Sequence, residues 1–226
     1  MKAFEKLPEP FQCDEVRAYY DILNKKRGRI VGKRIVDLVL SIILLIVLII
    51  PIGVIALLIK CTSKGTVFFR QERVTTYGKH FYILKFRTMV QNAEQLGSSV
   101  TTENDSRITS VGWALRKLRL DELPQVFNVL SGSMSIVGTR PEVPKYVDRY
   151  QPEYYATLLL PAGITSPASI QYKDEAKLLA QGGDADKVYI EQILPEKMKY
   201  NLKYVRNFGF FTDIGLMFKT VIEVIK

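Results

Sequence analysis

Residues 33–60 read KRIVDLVLSIILLIVLIIPIGVIALLIK, and this stretch decides how the rest of the chain must be organised. From Leu38 to Ile59 no charged residue occurs, and nearly every position is Leu, Ile or Val. A straight helix over that run would reach roughly 33 Å at ~1.5 Å per residue, enough to cross a hydrocarbon core. The run is too long for a cleavable secretory signal, and no small-residue cleavage site follows it. Pro51 sits inside it with Gly53 just beyond, and an internal proline removes a backbone hydrogen bond and kinks a helix. Both flanks are basic: Lys25, Lys26, Arg27, Arg29, Lys33 and Arg34 precede the run, and Lys60, Lys64, Arg70 and Arg73 follow it. A spanning helix biases its lysines and arginines to one side. On these features a single-pass anchor stays open beside a broken helix that dips into one leaflet and returns to the same face.

At 226 residues the chain has room for one globular domain besides this segment. Its net charge of +9 calls for an anionic partner: nucleic acid, an anionic membrane surface or a phosphorylated substrate. Two distant cysteines, Cys13 and Cys61, exclude a disulfide scaffold and a zinc site. The single histidine, His80, excludes a mechanism built on several histidines, so carboxylates and basic side chains must carry any chemistry. Residues 1–32 read as a separate N-terminal extension, membrane-surface or flexible. In it Pro8-Glu9-Pro10 makes a turn, Asp14 to Leu23 a short surface helix, and the basic cluster meets lipid headgroups.

Residues 61–226 have the composition of a small α/β (α+β) domain. Thr66 to Arg70 and Phe81 to Phe86 are short, β-rich and aromatic, and the turn residues around Tyr77-Gly78-Lys79 make them a hairpin. Gln91 to Asp105 is a polar loop. Ser106 to Leu120 is predicted as an amphipathic helix, with Ile108, Val111, Leu115 and Leu118 opposite Arg107, Arg116, Lys117 and Arg119. Such basic amphipathic helices lie on membranes, bind anions or cover a core. Thr212 to Lys226 carries apolar residues at helical spacing and would pack on the domain or lie along the bilayer.

Asp121-Glu122-Leu123-Pro124 reads as the start of a second helix, Glu122 to Leu130, with aspartate as cap and proline in the first turn. Capping alone explains such an aspartate. The same position would also hold an ionised carboxylate and a phosphoryl group near free backbone N–H groups. Arg116 and Arg119 stand one or two turns upstream, and Glu122 could hold a Mg²⁺ that neutralises a leaving phosphate. Ser131 to Pro141 is a glycine- and serine-rich turn, a short strand and a second turn delivering Arg140. It reads either as a phosphate cradle or as an ordinary strand-to-helix connection. Asp184-Ala185-Asp186 matches a metal-holding pattern of glycosyltransferases, but a polar loop with a helix cap explains it fully.

Taken in order, these pieces resemble the bacterial sugar transferases that act as monotopic polyprenyl-phosphate phosphoglycosyl transferases. The matching stretches are Lys33 to Asp37 leading into the Pro51 helix, Phe68 to Arg73, Lys85 to Met89, Leu120 to Leu130, Gly132 to Glu142 and Pro161 to Thr165. The resemblance implies a re-entrant, proline-broken membrane helix at residues 33–60, amphipathic interfacial helices, and a catalytic domain at 61–226 on the cytoplasmic face of the bacterial inner membrane. It implies that Asp121 takes the phosphosugar covalently and that Asp121 and Glu122 bind Mg²⁺. The transfer would run from a UDP-sugar to undecaprenyl phosphate, releasing UMP, at the start of capsule, O-antigen or other surface glycans. Lys85, Arg87, Arg116, Arg119 and Arg140 would bind the donor's phosphates. The partners are then a nucleotide-sugar, polyprenyl phosphate and membrane lipid, with nucleic acid set aside and a homodimer left open. Thr139 departs from the family's Pro-Arg-Pro, and Ala162 is an extra residue within Pro-Gly-Ile-Thr. The alternatives are a direct metal-dependent glycosyltransferase using Asp184 and Asp186, and a non-enzymatic membrane-anchored module that binds anions.

Overall fold

The computed structural model of the protein describes residues 1–93, 105–172 and 185–225. Most of the expected 91–105 loop, and Asp184, lie outside them. The apolar stretch forms helix α2, Arg27–Thr62, following a short helix α1, Asp14–Asn24. The helix is longer at both ends than the sequence suggests. The helix is continuous through Pro51 and is not divided at the break that the sequence suggests there. It is long and apolar enough to cross a membrane, and its outer face, including Ile46, Val47 and Ile50, is exposed.

Both ends of α2 are fastened to the same domain. Near the N-terminal end, Lys33 pairs with Asp213 at 2.7 Å, and buried Asp37 accepts from Ser135 Oγ at 2.7 Å and Ile136 N at 3.3 Å. Near the C-terminal end, Ile52, Ile55 and Ile59 form a cluster with Phe86 and Leu115. Each fully buried aliphatic or aromatic side chain of this kind contributes about 1.5–3 kcal/mol.

The N-terminal segment, expected to lie apart on the membrane surface or to be flexible, is part of the main core. Phe4, Leu7, Phe11, Val16, Tyr19, Tyr20 and Leu23 are buried with Ala156, Leu158, Leu159 and Val205. Their spacing along α1 puts Val16, Tyr19, Tyr20 and Leu23 on one stripe, so the amphipathic face found a protein surface rather than a bilayer.

Strands β1, Phe68–Val74, and β2, His80–Phe86, form the expected antiparallel hairpin, with Phe68 opposite Phe86 and Val74 opposite His80. Tyr77 and Gly78 supply the positive φ of its turn. β1 runs past Arg70 because Gln71, Glu72 and Arg73 continue the alternation. Glu72 faces out, and Arg73 turns in to donate to the Pro141 carbonyl at 3.1 Å.

Helix α3 is Ser110–Lys117, shorter than the expected 106–120. Thr109 caps it by accepting from Gly112 N at 3.0 Å, while Arg107 is bound to Asp105 upstream. Helix α4, Gln125–Ser131, ends at Gly132 in the left-handed region, and Arg34 of α2 donates to its last carbonyls, Val129 at 2.6 Å and Leu130 at 3.0 Å. Strand β3, Met134–Val137, pairs in parallel with β4, Ala162–Thr165. The extra Ala162 is a strand residue opposite Met134. Short helices α5, Pro144–Val147, and α6, Pro167–Gln171, flank β4 in sequence. Helix α7, Ala185–Val188, passes through a π-turn at Tyr189–Ile193 into α8, Leu194–Arg206. Helix α9, Phe210–Ile225, docks on the domain through Asp213 and leaves Phe211, Phe218, Val221 and Ile222 exposed.

Arg34 couples α2 to α4 through two charge-assisted hydrogen bonds, each worth about 1.5–3 kcal/mol. Arg34→Ala should lower the thermal unfolding midpoint of the detergent-solubilised protein by several degrees, whereas Arg27→Ala, at the exposed start of α2, should not. Equal midpoints for the two variants would show that the clamp contributes nothing.

Candidate active site

The turn Leu120–Glu122 brings the two carboxylates of the site into the domain. It is a 3-10 turn, and Asp121 does not cap α4: Pro124 occupies the cap position and makes no side-chain cap. Proline has no N–H to close an α-type turn, so Leu123 N bonds Leu120 O and Phe127 N bonds Pro124 O, and α4 starts only afterwards. Arg119 enters this turn at φ 57, a left-handed conformation that costs a non-glycine residue on the order of 1 kcal/mol.

The two carboxylates meet different surroundings. Glu122 Oε1 accepts from Arg140 Nη2 at 2.8 Å and from Lys85 Nζ at 3.2 Å. Burial alone would raise its pKa, but Arg140 and Lys85 overcome it and hold the carboxyl well below the usual range. Asp121 is 9% exposed, and among the described residues its carboxylate makes no hydrogen bond or ion pair. Burial pushes its pKa up, against the pull of Lys85, Arg116 and Arg119. Burial also lowers the Lys85 ammonium from its usual value, against the pull of Glu122.

The structure therefore brings Lys85, Arg140, Asp121 and Glu122 together, with Arg116 and Arg119 close enough to act on Asp121 electrostatically. It does not bring Arg87 with them. Arg87 is buried, and its Nη2 donates to Ser63 O at 2.9 Å and Ser63 Oγ at 2.7 Å, fastening the end of α2. Arg140 is placed by the β3–β4 junction, where Gly138 and Gly163 touch backbone to backbone. A Cβ on Gly163 would come within 2.1 Å of Gly138 N. Thr139, in place of the family's proline, is fixed by its hydroxyl, which donates to Thr157 O at 3.0 Å.

Behind Arg140 lies a buried ionic group that the sequence reading missed. Lys197 Nζ reaches Glu142 Oε1 at 3.2 Å and donates to Tyr189 Oη at 2.7 Å, and Tyr189 donates to Glu142 Oε1 at 2.7 Å. The signal was present: Lys197 is a lone cation among Leu194, Met198, Leu202 and Val205 on the buried side of α8. Asp186 of the rival metal motif accepts from Lys145 Nζ at 2.9 Å and Tyr146 Oη at 2.6 Å, which ties α7 to α5 and occupies the carboxylate.

Among the described residues no group of three or more His, Cys, Asp or Glu could hold a metal ion. Mg²⁺ needs only one or two carboxylates when phosphate oxygens complete its shell. The open carboxylate of Asp121 next to Glu122 fits that use, with Glu122 Oε1 already held by Lys85 and Arg140.

Residues 28–226 match the family described as bacterial sugar transferase. The chain belongs to that family. One relative, the UDP-N-acetylgalactosamine-undecaprenyl-phosphate N-acetylgalactosaminephosphotransferase of Aeromonas hydrophila, is 39% identical over 169 residues, 74% of this chain and 37% of that protein. The UDP-glucose:undecaprenyl-phosphate glucose-1-phosphate transferase of Escherichia coli is 34% identical across 84% of this chain and 39% of its own length. The undecaprenyl-phosphate galactose phosphotransferase of Salmonella typhimurium is 33% identical across 90% of this chain and 42% of its own. The chain thus spans about two-fifths of the length of these relatives.

The two carboxylates should respond oppositely to substitution. A raised folded-state pKa at Asp121 means that stability is greatest with the group protonated and falls as pH rises through that pKa. Asp121→Asn should therefore unfold at an equal or higher temperature than the parent at pH 7, with the gap closing in acid. At Glu122 the pKa is depressed, so its stabilisation is present above the unfolded value and is lost as pH falls through the folded one. Glu122→Gln should lower the midpoint at pH 7. Thermal unfolding across pH 2–8 checks both signs.

Proposed function

We propose that this chain transfers a sugar 1-phosphate from a UDP-sugar to undecaprenyl phosphate, with Asp121 as the nucleophile. The observation that carries this reading is the contrast at the turn. Glu122 is neutralised by two cations, while Asp121 is buried beside those cations with its oxygens unengaged by any of the described residues. A structural carboxylate would be paired; one reserved for attack on phosphorus would not be. The names of the Aeromonas and Escherichia relatives, a UDP-sugar donor and an undecaprenyl-phosphate acceptor, support the same chemistry.

In the first half-reaction an Asp121 oxygen bonds to the β-phosphorus as the bond to the bridging oxygen of UMP breaks. UMP leaves with that electron pair and an aspartyl phosphosugar remains. In the second, a phosphate oxygen of the lipid attacks the same phosphorus and Asp121 departs as carboxylate. Lys85, Arg140, Arg116 and Arg119 balance charge on the phosphoryl oxygens, and Lys85 and Arg140 keep Glu122 ionised. Asp121 and Glu122 would hold Mg²⁺, which when bound supplies further neutralisation of the diphosphate. Splitting the transfer lets a water-soluble donor and a membrane-borne acceptor use one site in turn.

The reading places α2 in one leaflet as a re-entrant helix, with the domain on the cytoplasmic face. Attachment of both ends of α2 to the same domain supports this, because a helix crossing the bilayer would carry one end away from it. The exposed Trp113 and Leu118 at α3 and the exposed Phe211, Phe218 and Ile222 of α9 suit interfacial helices. By this reading the reaction is the first membrane step of a surface glycan.

With a UDP-sugar labelled in the β-phosphate and lipid withheld, wild-type protein should retain label and Asp121→Asn should not. Adding lipid should move the label from the wild-type protein to the lipid and let UMP release continue beyond one equivalent, in the wild type alone. Release of UDP instead would establish direct glycosyl transfer, and no turnover across a panel of UDP-sugars would leave a membrane-anchored anion binder. For topology, single cysteines replacing Lys25 or Lys64, with Cys13 and Cys61 changed to serine, should react equally with an impermeant reagent on inside-out vesicles. Labelling of one site only would establish a spanning helix.

A further inference from the structure

The outer edge of β2, the strand that carries Lys85, is met by a side chain from α4. β2 pairs with β1 on one side only. On the other side the backbone groups of Tyr82 and Leu84 would be left over, and both meet the same residue. Asn128 Oδ1 accepts from Leu84 N at 2.9 Å, and Asn128 Nδ2 donates to Tyr82 O at 2.8 Å. This is the donor–acceptor pair that a neighbouring strand would present, supplied by one amide from α4. The amide is itself held: Nδ2 lies 3.3 Å from Ser133 Oγ, and that hydroxyl donates to the Asn128 carbonyl at 3.1 Å.

The bond lies between the two halves of the active site. Lys85 follows Leu84 directly, and α4 follows the Asp121-Glu122 turn after two residues. Elsewhere β2 and α4 share apolar clusters, Ile83 with Val129 and Phe86 with Phe127, which restrain separation but permit sliding. The paired hydrogen bonds of Asn128 fix the remaining freedom, the register of the strand along the helix. We infer that Asn128 is a positioning residue: by standing in for a strand on the open edge of β2, it sets Lys85 against Glu122 beside the unpartnered Asp121. The catalytic consequence rests on the reaction proposed above; the placement of Lys85 does not.

Selective lysine acylation, mapped by mass spectrometry on the full-length protein in nanodiscs, reads the placement directly. In Asn128→Ala, Lys85 should be acylated at least about tenfold faster, a factor matching the loss of roughly one buried hydrogen bond. Half-buried Lys33 and buried Lys197, outside the Asn128 contact, should keep their wild-type rates. Asn128→Asp retains an acceptor for Leu84 N–H but sets a second oxygen against the Tyr82 carbonyl. It should give the same pattern, and it decides the matter if the alanine variant does not fold. Initial rates of UMP release from the UDP-sugar that the wild type uses form the second arm. Asn128→Ala should lower kcat/KM about tenfold, yet should change it less than about threefold in a Lys85→Met background, because residues acting through one contact are not additive. Unchanged Lys85 reactivity overturns the inference. So does a joint rise at Lys33, Lys85 and Lys197, which is general loosening, or full additivity with Lys85→Met. Selective exposure of Lys85 in a protein that turns over no UDP-sugar would leave the positioning intact and remove the proposed reaction.

Discussion

A buried carboxylate is costly when, as at Asp121, none of the described residues pairs with it. What makes it tolerable is a shell of positive charge assembled from separate parts of the chain: Lys85 from β2, Arg116 and Arg119 from α3 and the residues after it, and Arg140 from the turn after β3. None of these elements is stable alone. The hairpin is two-stranded, α4 is seven residues long, and β3 and β4 make only a two-stranded parallel pair. They are held by what surrounds them, so the electrostatics of one oxygen pair depend on packing throughout the domain.

Much of that packing is organised by α2. Its N-terminal half satisfies the end of α4 through Arg34 and the start of β3 through Asp37, and its C-terminal half supports Phe86 and is bound by Arg87 through Ser63. The long apolar helix is thus structural support for the elements of the candidate site. Arg87 shows the distinction. It lies two residues from Lys85, carries the same charge, and is used to hold the helix end.

The sequence made the long helix, the hairpin and the C-terminal helix legible, because each shows its own periodicity. It also marked Asp121, Glu122, Lys85 and Arg140, because a resemblance supplied their order. It misplaced what depends on distant contacts. Asp121 looked like a helix cap, since aspartate before proline normally signals one, whereas Pro124 tightens the chain into a 3-10 turn first. The expected 106–120 helix lost its first turn to the Asp105–Arg107 pair and the Thr109 cap. Asn128 and Lys197 could have been noticed as polar residues on otherwise apolar helical faces, but nothing local says which distant backbone or carboxylate each one meets. The amphipathic stripe of α1 was visible too; its destination was not.

That last point separates two ways of marking where a domain starts. Similarity to the family begins at residue 28, yet Phe4, Phe11, Tyr19 and Leu23 cover Ala156, Leu159 and Val205. A shortened gene cut at the similarity boundary would produce a protein with every residue of the candidate site and a greasy trench along its flank. Such a product would favour self-association over solution, and its failure would say nothing about the chemistry. The practical unit is defined by what must stay dry, and here that unit reaches back to Phe4.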